Sequence, residues 1–509
     1  MDLPEIRRYL ARFLNTSQLG AAVAVCKSWH STFIPFLYSE IRWSNRDKRP
    51  EQEALVSYGE HVRTLRLVPE TGDFPLETCT SLDRLVIMCH NRTPNWSWLA
   101  HLIRQNPQLR RLEAHFLSSR PRYELMAAVS SCPRLRYLWL TCPTLSKQCA
   151  RLLFDTCVRL ERLSIFAHDV DLIPLDRWLE FPQLRRLEIH INSGFPFLYQ
   201  LELIKRCPRL RSIDWICYEG LFPTAAFCQL FTKSCPLLQK IGLEHWSLLD
   251  HDIAKVLDSC PRMLRFAGSD LGFDHRAFQA LVRHFAYLTI VDVNQCPGLT
   301  SAMCQTILVS CTELRIFSAD TLHARDILGL TVEGDKINEG ELVHEPQAWV
   351  CTKLQQLTLY ICGLEGKPAD WQRLILRQLA KLTRLTFLSI VPEDGNWNGT
   401  EDSRDGLDLR IEAGLGILSS LKLLDSIEFT GLWQQMEEQD LRWMLDAWPR
   451  LRDVGGKVHH SEERRLELEK IFEERPVVVK TKMDDSEDFY YNFYFNAHES
   501  SDEDEEDCY

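Results

Sequence analysis

The sequence predicts an α/β solenoid, a parallel sheet of short repeated strands backed by helices, preceded by a small all-α segment. Three observations predict it. One short apolar phrase recurs at a near-constant interval through most of the 509 residues. The stretches between copies carry apolar residues at helical spacing. Residues 1–43 lack the phrase and show helical stripes of their own.

In this first segment Leu3-Pro4-Glu5-Ile6 opens a helix, with Pro4 suited to the first helical position. Ile6, Leu10, Phe13 and Leu14 then fall on one stripe. Asn15-Thr16-Ser17 breaks it. A second stripe holds Leu19, Ala22, Val23 and Cys26, followed by Trp29, and a third stretch runs from Phe33 to Tyr38. Three short helices bury too little to be very stable alone, so docking to a partner or to the following repeats is expected.

The repeated phrase is an apolar residue, two free positions, a second apolar residue, one free position and a third. Often Cys-Pro precedes it, as in Cys132-Pro133-Arg134-Leu135-Arg136-Tyr137-Leu138-Trp139-Leu140. Its first apolar position falls at Leu82, Leu109, Leu135, Leu160, Leu184, Leu210, Leu238, Met263, Leu288 and Leu314, at intervals of 24 to 28 residues. Weaker copies stand at Leu354, Leu385, Leu424 and Leu451, and an early one at Val62, Leu65 and Leu67. This is the period of a leucine-rich repeat. The alternating end of the phrase is a strand with one buried face. Stretches such as Ser146 to Thr156 suit a helix, which the proline of the next phrase ends. A single unit cannot bury its apolar face. Stacked units can, as a horseshoe of about 14–15 repeats with the parallel sheet on the concave face. Cys79, Cys132, Cys157, Cys207, Cys235, Cys260, Cys311 and Cys351 share one position, that of a small buried residue at the helix-to-strand corner. The layout resembles the cysteine-containing class of leucine-rich repeats.

The solenoid is assigned to residues 55–460, with polar insertions near 320–350 and 392–408 expected as surface loops. A charged helix from Ser461 to Arg475 and a linker fill 461–483. The tail, 484–509, holds 11 acidic residues and no Lys or Arg. It reads as an aromatic run, Phe489 to Phe495, then an acidic stretch with Ser500 and Ser501 in contexts suited to acid-directed kinases. That tail accounts for nearly all of the formal charge of −12: without it, 60 acids face 59 bases. The whole-chain balance argues against a nucleic-acid-coating protein. No apolar run reaches the roughly 18–20 residues that span a membrane. No secretory leader is expected, so the 18 cysteines are expected to stay reduced, in cytoplasm or nucleus. There is no CxxC pair, HExxH, GxSxG or phosphate-binding loop, and the histidines lack metal-ligand spacing. No catalytic residue, metal or cofactor is therefore expected. His459-His460 reads as a solvated pair after the last repeat.

Residues 1–45 resemble the F-box. The resemblance rests on Leu3-Pro4-Glu5-Ile6, Phe13-Leu14, Leu19, Ala22 and Val25-Cys26-Lys27-Ser28-Trp29 at the family's spacing, with Ile41-Arg42-Trp43 near its usual ending. Tyr9-Leu10 departs from it mildly, where the family often has two small aliphatics. The resemblance implies a substrate-recognition subunit of an SCF ubiquitin ligase. The helical segment would dock to the Skp adaptor, and through it a cullin, while the repeats hold an unknown protein substrate. Leu3, Pro4, Ile6, Leu10, Leu14, Leu19, Val25, Cys26 and Trp29 map onto motif positions that contact the adaptor or hold the helices together. The sequence does not separate these two sets. The other reading is a leucine-rich-repeat scaffold or inhibitor with no ubiquitin link.

For the substrate, the position before the second apolar residue reads Arg84, Arg111, Tyr137, Arg162, Arg186, Ser212, Lys240 and Arg265, six of eight basic. Stacking would bring these to about 4.8 Å spacing, where like charges repel. The next column holds Glu113, Glu188, Asp214 and Asp292, which can neutralise part of it. Two readings stand: a self-paired solvated face, or a site for an anionic or phosphorylated ligand. The acidic tail could compete for such a site.

Overall fold

The computed structural model describes residues 4–43, 52–68, 76–89, 94–171, 173–174, 179–191, 196–216, 224–244, 248–330, 332–333, 336–337, 346–392, 403–475 and 477–480. Leu3, much of both insertions and the whole acidic tail lie outside the described residues. The chain forms two compact units, meeting in sequence at Met263 and Leu264.

The first unit opens with α1 (Pro4–Ala11), α2 (Thr16–Val23) and α3 (Lys27–Leu37). Asn15 does more than end α1. Its side chain accepts from the Gln18 N–H while Gln18 returns the bond, a reciprocal cap that starts α2. Ala11, Leu19, Ala22 and Phe33 form the small core, with Leu14, Val23, Trp29, Phe36 and Leu37 packed around it. Buried Arg7 donates to Ser28 Oγ at 2.7 Å, tying α1 to α3. Tyr38 stacks on Tyr58 at 4.9 Å, so the helices dock on the segment before the repeats.

Nine parallel strands follow in register: β1 (Glu40–Trp43), β2 (Thr64–Leu67), β3 (Arg84–Cys89), β4 (Arg111–Phe116), β5 (Tyr137–Leu145), β6 (Arg162–Val170), β7 (Arg186–Ile191), β8 (Ser212–Ile216) and β9 (Lys240–Glu244). Ile41-Arg42-Trp43 is therefore a strand of this ladder, paired with Leu65, Arg66 and Leu67. Leu85, Leu112, Leu138, Leu163, Leu187, Ile213 and Ile241 stack as one buried column under the outer helices. The helix Lys147–Cys157, capped by Ser146, matches the helical stripe in the sequence to within a residue.

The corner cysteines are buried free thiols. Cys157 and Cys207 donate to the carbonyls of Leu153 and Leu203, four residues back, at 3.2 Å. Burial pushes the Cys132 thiol up to about 11 and the Cys235 thiol to about 12, which suits packing and opposes nucleophilic chemistry. Asn106 fills the same corner in one repeat. It donates to the Cys79 and Leu102 carbonyls and accepts from the Leu82 N–H, all at 2.8 Å.

The second unit repeats the pattern with β10 (Arg265–Ser269), β11 (Ile290–Asp292), β12 (Ile316–His323), β15 (Gln356–Cys362), β16 (Phe387–Ser389), β17 (Ser426–Glu428), β18 (Asp453–Gly455) and β19 (Val478–Lys480); β13 (Val332–Glu333) and β14 (Lys336–Ile337) form a separate antiparallel pair. Three sequence expectations change here. The 320–350 segment is not simply a loop: it carries the end of β12, the helix Ala324–Leu328 and that hairpin. Its Trp349 is buried, donating its indole N–H to Gln305 at 2.9 Å. The charged helix is Glu462–Glu469, beginning just after Ser461 and followed by a 3₁₀ turn at Phe472–Glu474. The linker after it supplies β19, so the ladder runs to Lys480. Both units are leucine-rich-repeat α/β structures.

Candidate functional site

The N-terminal helices sort the nine motif residues. Leu19 is in the core, and Leu14 and Trp29 pack against it. Pro4 opens α1. Leu3 lies outside the described residues. Ile6 and Leu10, by contrast, are 47% and 48% exposed, Val25 is 61% exposed, and Cys26 is exposed. The reason is the rotation of α1. It turns Arg7 and Ala11, one helical turn apart, toward α3 and the core. Its apolar stripe is left facing solvent, joined by Tyr9 (61%) and Phe13 (68%), whose rings touch edge-on at 5.1 Å. Large apolar side chains at i, i+3, i+4 and i+7, three on α1 and Phe13 two residues past its end, thus form one exposed apolar surface. Tyr9 and Phe13 stand outside the nine motif residues. Phe13 belongs to the sequence stripe of Ile6, Leu10 and Leu14, whereas Tyr9 does not; its spacing of three from Ile6 and four from Phe13 is the signal that joins it.

The repeats present a second surface. Arg84, Arg111, Tyr137, Arg162, Arg186, Ser212 and Lys240 do stand in one column of the first unit, strand by strand. Arg265 belongs to the second unit, where it is buried at the start of β10. The adjacent acids meet several of these bases. Glu113 Oε1 takes Arg84 at 2.9 Å and Arg111 at 2.6 Å. Glu188 Oε1 takes Arg186 at 2.8 Å, and its other oxygen accepts from Ser164 at 2.7 Å. Arg111 also lies over the Tyr137 ring, 4.3 Å from its centre. Asp214 lies across Gly242, and its carboxylate occupies the space a Cβ there would take.

An aromatic ladder that the sequence reading missed runs beside these pairs: Trp139 shares the column of Glu113, and His115, Phe166 and His190 stand one column further along. Trp139 and Phe166 stack at 5.1 Å and 4°, Phe166 and His190 at 3.9 Å and 27°, and His115 tilts onto Trp139 at 5.6 Å. Burial in this ladder lowers the His190 pKa to about 4, with the Asp214 charge opposing, so the imidazole is neutral at pH 7. The available signal was position: these residues follow, or sit inside, the alternating end of their phrases.

In the second unit, buried Glu428 has its pKa raised by desolvation, against Lys480 and a hydrogen bond from Ser389. His460 stacks on Trp433 at 4.6 Å and on His459 at 4.4 Å, while Arg404 lies over Trp433 at 4.6 Å. The histidine pair is thus part of an aromatic stack. Among the described residues, no group of three or more His, Cys, Asp or Glu could hold a metal ion, and no helix is long and apolar enough to cross a membrane.

No protein-family model matches the chain. No curated protein matches it either. Solved structures do. A leucine-rich-repeat protein of Leptospira interrogans is 12% identical over 85% of this chain and 100% of its own, with a TM-score of 0.34. TLR13 in its complex with ssRNA13 is 14% identical over 83% of this chain and 65% of its own, at 0.35. An internalin of Listeria monocytogenes is 13% identical over 92% and 94%, at 0.26. The leucine-rich-repeat assignment itself stands on the strand register and the 24–28-residue interval. Such a scaffold is suited to holding a protein partner.

Proposed function

We propose that the chain is a non-enzymatic substrate-recognition subunit of an SCF ubiquitin ligase. The N-terminal helices dock to the Skp adaptor, and the repeats capture a protein substrate. One observation carries the reading: Ile6, Tyr9, Leu10 and Phe13 form an exposed apolar stripe on a three-helix module whose sequence resembles the F-box. A helix that served only to cap the solenoid would bury its apolar stripe on the repeats and expose a polar one. Here the apolar stripe is the exposed one, which fits a partner groove. Of the motif residues, Ile6, Leu10, Val25 and Cys26 then make the adaptor contact, while Leu14, Leu19 and Trp29 hold the module together. Ubiquitin transfer falls to another subunit, and this chain supplies proximity. The free thiols support work in a reducing compartment, cytoplasm or nucleus.

The test is direct binding. Purified chain titrated with purified Skp adaptor in a calorimeter should form a stoichiometric complex. A folded chain that gives no heat and no complex by gel filtration would leave only the scaffold or inhibitor reading.

A further inference from the structure

We propose that the strand-entry edge of the first unit binds an acidic or phosphorylated segment of a protein partner, through Arg185 and Arg211, with Arg209 two residues before Arg211. The inference rests on the reading that the repeats capture a protein, and it does not require the adaptor.

The residue just before each open-face column forms its own in-register column. Its backbone N–H donates to the carbonyl of its counterpart one repeat earlier: Asp83 to Arg63, Arg110 to Asp83, Arg136 to Arg110, Glu161 to Arg136, Arg185 to Glu161, Arg211 to Arg185 and Gln239 to Arg211, at 2.8 to 2.9 Å. Five of these eight residues are arginine. The arginines then divide by what they touch. Arg110 lies 3.4 Å from Asp83, and Arg136 lies 3.5 Å from Glu161. Nearby Arg159 is structural, donating to the Cys132 carbonyl at 3.0 Å and the Ser130 carbonyl at 2.7 Å. Arg185 and Arg211 are different. Both are exposed, each one residue before adjacent strands β7 and β8, and among the described residues neither side chain makes a hydrogen bond or ion pair; the same holds for exposed Arg134 and Arg209, each two residues before its strand-entry arginine.

Two guanidinium groups in register about 4.8 Å apart at the backbone repel each other. Each also offers a planar fork matched to carboxylate or phosphate oxygens. In the open-face column beside them Glu113 already takes Arg84 and Arg111, and Glu188 takes Arg186, so three of its five bases are engaged within the sheet.

A polypeptide fits this edge better than a nucleic acid. Asp83 and Glu161 interrupt the arginine column, so a continuous phosphate backbone would meet two carboxylates. In the aromatic ladder Trp139 stacks on Phe166 and Phe166 on His190, so these ring faces are already taken and not open to bases. A peptide with spaced acidic residues can place them against the arginines and pass over the interruptions.

The experiment uses the full chain and three fluorescein-labelled probes: a glutamate-rich peptide, its phosphoserine counterpart and single-stranded oligothymidylate. Anisotropy is read at low and high salt. At low salt both peptides should bind more tightly than the oligonucleotide. Arg185→Glu with Arg211→Glu should weaken peptide binding at least about tenfold, and salt should shrink the difference. The charge-matched pair Arg384→Glu with Arg450→Glu, exposed in the second unit, should leave binding within about twofold. Circular dichroism melts confirm that both variants are folded. Absence of peptide binding, preference for the oligonucleotide, or equal losses in both variant pairs would overturn the proposal. Because adaptor binding is read separately on the same protein, either claim can fail alone.

Discussion

Arg186 Nη2 lies 2.8 Å from Glu188 Oε1, two residues along the same strand, with both side chains largely shielded from solvent. The same contact is made between Arg111 and Glu113, so part of the open face of the first unit is paired within the sheet. It also gives Glu188 a structural role.

Removing that carboxylate takes a charged acceptor from both the Arg186 guanidinium and the Ser164 hydroxyl. Glu188→Gln should therefore lower stability by about 2 kcal/mol, the cost of replacing a shielded charged acceptor by a neutral one. Arg185→Gln, one residue before Arg186 and exposed, should change it by less than about 0.5 kcal/mol. Urea denaturation midpoints of the two variants provide the check.

The Asn106 corner should prove more demanding than its cysteine counterparts. Asn106→Ala orphans the buried Leu82 N–H and two carbonyls and should cost about 2 kcal/mol or more. Asn106→Cys should recover part of this, because the other corners show a thiol bonding the carbonyl four residues back. Thermal melts should rank wild type above the cysteine variant and that above alanine.

His190 sets a pH dependence. Its folded pKa is about 4 against an ordinary 6.5, so the unfolded chain binds the proton more readily between those values. The stabilisation from its neutral ring is full above pH 6.5 and is lost as pH falls toward 4. His190→Phe keeps the stacking on Phe166 without the titration. Its melting temperature should fall less than that of wild type over this window, and parallel declines would show that His190 does not contribute.

The repeat architecture was legible because it is written as spacing: each buried leucine column is one position of the phrase. Other features were not, for identifiable reasons. β19 was hidden because Val477-Val478-Val479 follows a charged helix without the usual phrase. The helix Ala324–Leu328 was obscured by the glycines and acids around it, one of which, Gly329, is its left-handed cap (φ 68°). At the N-terminus the motif residues were visible, but not which of them pack. That depended on Arg7, a charged residue that turns inward to Ser28 and rotates the apolar stripe of α1 outward. The arginine edge escaped notice because the structurally important column stands one residue before the one that alternation highlights.

The exposed apolar stripe that runs from α1 to Phe13 is proposed as the adaptor-docking surface. The most direct measurement compares adaptor affinity for wild type, for Leu10→Asp with Phe13→Asp, and for the core variant Leu19→Ala, alongside the helical content of each. The double aspartate variant should keep its fold and lose adaptor binding by at least about a hundredfold, since two apolar contacts buried in the complex become buried charges. Leu19→Ala should lose binding only to the extent that the module unfolds. Unchanged affinity in a folded double aspartate variant would contradict it.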